Sequence, residues 1–388
     1  MRRTLVAALL AGLTAGLGLA AAGTFADGGP GTPGTGSKDA RGAADPKDGG
    51  GGAGARPQRT NEVTPASLQS AQRGIDFLLK SQHRSGYWGV EPGAPPDVAT
   101  TCMVGLALLG SGDTPTCGRS AEALRRATDF VIMSALDSRT GEMLAGKWTW
   151  TIPESKLGHR IHIYFATMFL SQVLGASPPG VIDEASLREA LAKLAARVDE
   201  TQLANGSWLD QSPEPLITTV LAWMALRSAF SAGITVRNAS VDRVLAYVKS
   251  CYDPKTATFS DSRFGSGPRY INTTGSLRVL YGMGEGDSPE AKGGQQTLLK
   301  KVTFAQDYGG SAGGEDYLAA LFAVEALQLE DGDGWAYYWP RIRDQLVKLQ
   351  NADGSWTGHH CITGRVFCTA TAVQTLQMPY RYLPLDEH

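Results

Sequence analysis

The sequence predicts an all-α fold: an α/α toroid of about six helical hairpins, with an outer and an inner ring of helices. Three observations predict it. A heptapeptide of Gln, three residues, Gly, one residue and Trp occurs three times, as QHRSGYW at 82–88, QLANGSW at 202–208 and QNADGSW at 350–356. The stretch before a copy is amphipathic at helical spacing, and the stretch after it is apolar nearly all round. The last unit is among the best formed, where an open solenoid would end on a polar capping repeat. The units are therefore expected to close on themselves.

In chain order, residues 1–26, MRRTLVAALLAGLTAGLGLAAAGTFA, have a basic start, an apolar run and then small residues. That layout predicts a secretory signal peptide, cleaved after Ala22 or Ala26. The run is also about long enough to cross a bilayer, so an N-terminal anchor stays open. Export to the periplasm or the medium is expected in either case. Residues 27–62 are dominated by Gly, Pro, Ala and charge and predict a flexible linker. Residues 63–388 hold the toroid.

Within the toroid, SLQSAQRGIDFLLKSQ sets Ile75, Leu78 and Leu79 on one stripe and predicts an outer helix. DVATTCMVGLALLG, PLITTVLAWMALRSAF, YINTTGSLRVLYGMG, EDYLAALFAVEALQL and RVFCTATAVQTLQM are apolar on all sides and predict inner helices. Worn copies of the heptapeptide raise the count to six: SRTGEM with Met143 in the Trp slot, KTATFS with Phe259 there, and QDYGGSAGG at 306–314. In the intact copies Gln82, Gln202 and Gln350 are placed to bond backbone groups at a helix end. Gly86, Gly206 and Gly354 permit the positive φ that leaves the helix. Trp88, Trp208 and Trp356 offer flat apolar wedges between helices. The element is read as a staple rather than a catalytic device.

Apolar residues make up 42% of the chain and charged residues 19%, the proportions of a soluble, well-buried protein. A net charge of −2 argues against nucleic acid as a partner. No second stretch is long enough to span a membrane, so no membrane span is expected after signal cleavage. Of five cysteines, Cys361 and Cys368 are close enough to be a disulfide candidate, while Cys102 and Cys251 read as small buried apolar residues.

RGIDFLLKSQHRSGYW resembles the repeat of the prenyltransferase/squalene-cyclase superfamily. Arg73, Gly74, Phe77, Leu78, Gln82, Gly86 and Trp88 match every specified position. The other two copies keep the basic residue, as Lys193 and Arg341, and lose the Gly and the aromatic. The resemblance covers about 67–383 and implies the toroid.

It also implies where chemistry would lie. Class II terpene cyclases protonate an alkene with the middle Asp of an Asp-x-Asp-Asp run followed by Thr. In PDVATTC, Asp97 and Thr101 match the first Asp and the Thr, while Ala99 and Thr100 stand in place of the acid and its partner. An Ala cannot donate a proton. The prenyltransferase zinc positions are matched by Glu315, Tyr317 and Cys368, a poor zinc set. No metal and no cofactor are expected. GHRIHIYF offers His159 and His162, and TGHHCITG offers His359, His360 and Cys361, as ordinary hydrogen-bonding groups or as ligands.

The best functional locus is the ring centre, an apolar pocket with polar groups at one mouth: Asp97, Thr101, His162, Thr219, Trp223, Asn272, Thr274, Glu315, Asp316 and Tyr317. Thr hydroxyls there also cap their own helices. The favoured function is binding of an apolar small molecule, isoprenoid or lipid, or of a protein partner, without class II cyclase activity. The alternative is an isoprenoid-transforming enzyme using Glu315 or Asp316 as its acid.

Overall fold

Helices alternate along the chain between two classes of burial in the computed structural model. It describes residues 62–137, 153–178, 180, 182–209, 212–261, 269–300, 302, 314–330, 332–359 and 362–383. The expected signal peptide and linker up to 61, the Met143 copy, most of the 306–314 copy, His360 and Cys361 lie outside those residues. The chain divides into two units, Met1–Pro57 and Gln58–His388, and everything described belongs to the second.

The outer helices are α1 (Pro65–Ser81), α3 (Ala121–Leu136), α6 (Glu184–Glu200), α8 (Asn238–Ser250), α10 (Pro289–Lys300) and α12 (Asp333–Leu349). The inner helices are α2 (Val98–Gly110), α5 (Ile161–Ala176), α7 (Pro215–Ser231), α9 (Tyr270–Gly282), α11 (Gly314–Glu330) and α13 (Arg365–Gln377). A short helix, α4 (Pro153–Leu157), precedes α5, and two-residue strands β1 (Tyr252–Asp253) and β2 (Thr258–Phe259) pair antiparallel before α9. Every residue of α2 is buried, and so is α13 from Val366 to Gln377, because each lies between the ring centre and the outer layer. Outer helices bury one stripe only, as α1 does with Ala71, Gly74, Ile75 and Leu78.

Each inner helix packs on the next, in the order α2, α5, α7, α9, α11, α13, and α13 packs back on α2. The ring is closed, as the repeat count predicts. Contacts join like ends of neighbours, first turn to first turn and last turn to last turn, so the inner helices run parallel.

The heptapeptides make the closure. Gln82 ends α1, and its Nε2 donates to Gly86 O in its own loop and to Ala123 O of α3, both at 2.9 Å. Gln202 repeats this on Gly206 O and Ser240 O of α8. Gln350 does so on Gly354 O and on Ser70 O of α1, the first helix among the described residues. Each Gln Oε1 accepts from an Arg of the helix it reaches: Arg126, Arg243 and Arg73. Gly86, Gly206 and Gly354 have φ of 91°, 92° and 90°, and a Cβ there would collide with the carbonyls of those Arg residues. Each Trp indole N–H donates back to its own outer helix, at Leu78 O, Val198 O and Leu346 O, 2.7–2.8 Å away. Each Trp backbone N–H donates to a Thr hydroxyl of the following inner helix: Thr101, Thr219 and Thr369. One heptapeptide thus ties an outer helix, its inner helix and the next outer helix. In the worn copy before α9, fully buried Phe259 takes the Trp slot and presses on Gly294 of α10.

Trp208 is 1% exposed and carries two of these hydrogen bonds. Trp208→Ala is expected to lower stability by about 3–5 kcal/mol, as truncating a buried large aromatic does. Denaturant unfolding checks it; a change under about 1 kcal/mol, typical of a surface site, would remove the staple from the account of the fold.

Candidate functional site

Parallel inner helices present all their N-termini at one mouth of the ring. Unpaired backbone N–H groups make that mouth electropositive, which favours carboxylates there. Asp97 caps α2, its Oδ1 accepting from Thr100 N at 2.5 Å. Glu214 is the residue before α7, and Glu315 lies in the first turn of α11. Helix α4 adds Glu154 and Lys156, both buried, and Thr218 Oγ1 holds its end by donating to Leu157 O at 2.7 Å.

The charges form two linked groups. Lys156 Nζ pairs with Glu214 at 3.1 Å and Glu315 at 3.0 Å, and Arg269 pairs with the same two carboxylates at 3.0 and 3.3 Å. Beside them, Glu154 Oε1 lies 3.4 Å from His162 Nδ1. Asp97 is near enough to both to feel their charge. Burial pushes its carboxyl up to about 6; the bonds from Thr100 oppose the rise, Glu154 adds to it, and His162 lessens it.

The residues expected at one mouth are distributed more widely. Thr101 and Thr219 serve the staples, and their hydroxyls donate to Asp97 O and Pro215 O of their own first turns. Thr274 likewise donates to Ile271 O. The buried Asn272 amide meets no described hydrogen-bonding partner. Glu315 is engaged by Lys156 and Arg269, and Tyr317 donates to Thr357 O at 3.3 Å. Cys368 is a free, buried thiol 3.6 Å from Ile362 O; its expected partner Cys361 lies outside the described residues. The zinc-matching positions therefore turn to separate partners. Asp316 faces the phenols of Tyr270, Tyr317 and Tyr338 closely enough to add to the upward shift that burial gives them.

Trp223 lies midway along α7, its ring directed towards the end of α9. Its ring sits between the guanidiniums of Arg227 and Arg278, each carbon 5.7 Å from the ring centre, and touches Gly282. Arg278 pairs with Glu325 at 3.1 Å, and Arg381, from the segment that follows α13, pairs with the same carboxylate at 2.7 Å. Both cations hold the buried Glu325 carboxyl below its usual range, against the opposing effect of burial. Arg227, Arg278, Glu325 and Arg381 border a cavity on the ring axis to which all six inner helices contribute. Its volume is about 50 Å³, room for a few waters and far below the roughly 300–1,000 Å³ of small-molecule pockets. Phe165, one of the lining residues, meets Phe367 of α13 edge to face at 6.1 Å.

Sequence reasoning missed Glu154, Lys156, Glu214 and Arg269 at one mouth, and Arg227, Arg278, Glu325 and Arg381 at the other. A signal for Arg227, Arg278 and Glu325 was present. Arg227 and Arg278 are each the lone charge of an inner-helix segment, and Glu325 is the lone charge in the apolar run LAALFAVEALQL; a buried charge requires a partner.

No protein-family model and no curated protein matches the sequence. Solved structures do. A protein from Actinoplanes superposes with a TM-score of 0.51 at 17% identity, covering 80% of this chain and 99% of that one. The apo type II terpene cyclase MstE from Scytonema gives 0.35 at 18% identity, over 81% and 98%. A variant of that cyclase in complex with geranylgeranyl dihydroxybenzoate, its substrate, gives 0.34 at 17%, over 81% and 97%. What the chain shares with the Actinoplanes protein is the fold. The α/α toroid with its Gln-Gly-Trp staples is the architecture implied by the resemblance to the prenyltransferase/squalene-cyclase superfamily.

Asp97 supplies a pH test. Its folded-state carboxyl titrates near 6, above the ordinary 3.8. The folded state holds the proton more tightly, so this contribution is present at low pH and lost as pH rises through 6. Asp97→Asn keeps the cap and removes the titration. The stability of the parent relative to the variant is expected to fall by on the order of 3 kcal/mol from pH below 4 to neutrality. Urea unfolding across that range checks it; parallel curves would show that Asp97 titrates normally.

Proposed function

We propose that the protein is an exported terpenoid-cyclase-like toroid that binds an apolar ligand and does not run the class II cyclisation. One observation carries the reading: the positions at the mouth that match the cyclase site do not line the cavity on the axis. At the first, Ala99 stands where the acid would be, and Glu214 and Glu315 are held by Lys156 and Arg269. At the second, apolar side chains from the inner helices surround the space in which a ligand would sit. Export is read from residues 1–26 alone. Among the described residues no helix is long and apolar enough to cross a membrane.

The enzymatic reading has one observation in its favour, and it moves the acid from Glu315 or Asp316 to Asp97. Asp97 is a buried carboxyl that keeps its proton up to about pH 6 beside a second carboxylate, Glu154. A group poised there is a general acid by type, although it is not among the residues that line the cavity on the axis.

Incubation of the purified protein with squalene and with prenyl diphosphates, read by mass spectrometry, separates the two. Unchanged substrate is expected in every case. A cyclised product that disappears in Asp97→Asn would replace the binding reading with the enzymatic one.

A further inference from the structure

The outer layer carries a groove of its own. It lies between α10 and α12 and measures about 510 Å³, within the range of small-molecule sites. Gln295, Gln296 and Leu299 come from α10, Glu330 from the end of α11, and Asp333, Gly334 and Tyr337 from the start of α12.

The polar groups of the groove are fixed by their neighbours. Tyr281 Oη donates to Gln295 Oε1 at 3.1 Å. Burial, with the charge of Glu330 behind it, pushes that phenol up and keeps it a donor. What Gln295 has left to offer is its amide Nε2, also a donor. That nitrogen lies 2.6 Å from the point a Cβ on Gly334 would occupy, and Glu330 Oε2, an acceptor, lies 3.2 Å from the same point. The oxygen already accepts from Gly332 N at 3.2 Å, and a carboxylate oxygen takes a second donor. A donor and an acceptor thus flank one bare glycine. Tyr337 is 45% exposed, yet its ring is held: Arg341 stacks on it, the guanidinium carbon 3.7 Å from the ring centre, and donates to the Tyr337 carbonyl. An exposed aromatic fixed in this way loses little freedom when a ligand packs on it.

Donors beside acceptors, with an aromatic ring among them, match a ligand hydroxylated over its surface. A hydroxyl both donates and accepts, so one hydroxyl, or two on adjacent carbons, satisfies Gln295 Nε2 and Glu330 Oε2 together. An ammonium or guanidinium would serve the carboxylates and leave the amide donor facing another donor. An apolar ligand would leave both groups unmatched. Glu330 and Asp333 would repel an acidic sugar, so the ligand is neutral.

We propose that this groove binds a neutral oligosaccharide, its hydroxyls bridging Gln295, Glu330 and Asp333 and the C–H face of one sugar ring packing on Tyr337. The inference is independent of the apolar-ligand reading, because the cavity on the ring axis shares none of these residues.

The test is calorimetric titration of the full chain with maltotriose, cellotriose and triacetylchitotriose, and with diaminobutane as the cationic control. At least one trisaccharide is expected to bind with a Kd of about 1 mM or below, and diaminobutane at least about tenfold more weakly. Gln295→Met keeps the length of the side chain and removes the amide. It is expected to weaken that trisaccharide about three- to tenfold, the size of one neutral hydrogen bond. Tyr337→Ala, at an exposed position, is expected to weaken it at least as much. Melting of the unliganded variants confirms that they fold, and Tyr337→Ala alone decides the matter if Gln295→Met does not. If no trisaccharide binds, or if the one that binds is held equally by parent and variants, the proposal is overturned. Tighter binding of diaminobutane than of any trisaccharide would overturn the sugar and make the groove a cation site.

Discussion

The hydrogen bond from a Gln amide to a carbonyl of the next outer helix is the interaction on which the molecule depends. It is made by Gln82, by Gln202 and by Gln350, and the last returns to Ser70 in the first helix. A helix apolar on every side has no stable place on a surface, and each inner helix alone is such an object. Closing the ring gives each one two inner neighbours and an outer cover. The staple fixes the distance and direction at which that happens, since Gly at positive φ and Trp on its own helix leave the chain one way to turn.

Parallel inner helices follow from this, and so does the electrical polarity of the ring. Six helix N-termini converge at one mouth and six C-termini at the other. The carboxylates Asp97, Glu214 and Glu315 sit at the first, and the guanidiniums Arg227, Arg278 and Arg381 at or beside the second. Counter-charges then differ between the ends. At the acidic mouth Lys156 and Arg269 match Glu214 and Glu315 one for one. Such a network recovers in Coulomb energy roughly what its desolvation costs, so its effect is to fix geometry more than to add stability. At the basic mouth the buried Glu325 pairs with both Arg278 and Arg381.

The architecture was legible in the sequence because it is repeated. Three intact heptapeptides and alternating helix character gave the six hairpins and the closed ring, and Phe259 took the Trp slot expected of it. The roles of single polar residues were less legible. Thr101 and Thr219 open inner helices and read as pocket residues, yet their hydroxyls accept from Trp88 and Trp208 thirteen and eleven residues earlier. Spacing places a residue at a helix start but does not say which side of the ring it faces, and an all-round apolar helix offers no polar face to settle it. Trp223 is one turn, about 5.4 Å, beyond Thr219, and its ring meets Arg227, Arg278 and Gly282 instead of the polar groups of the first turns. Arg381 was invisible for another reason: it comes from outside the repeat and reaches Glu325 only because the chain folds back over the mouth after α13.

The two mouths are chemically separate. Asp97 precedes Met103, the first residue of α2 to reach the cavity, by six positions, about 9 Å of helix. Phe165, which lines the cavity, meets Phe367 edge to face. An acid acts on an alkene only when the two are in contact, and Asp97 is not among the residues that line the cavity. A carboxyl can be replaced by a neighbour, as Asp97 beside Glu154 illustrates, so the bare Ala99 does not by itself decide the chemistry of that mouth; what a bound molecule could touch there does.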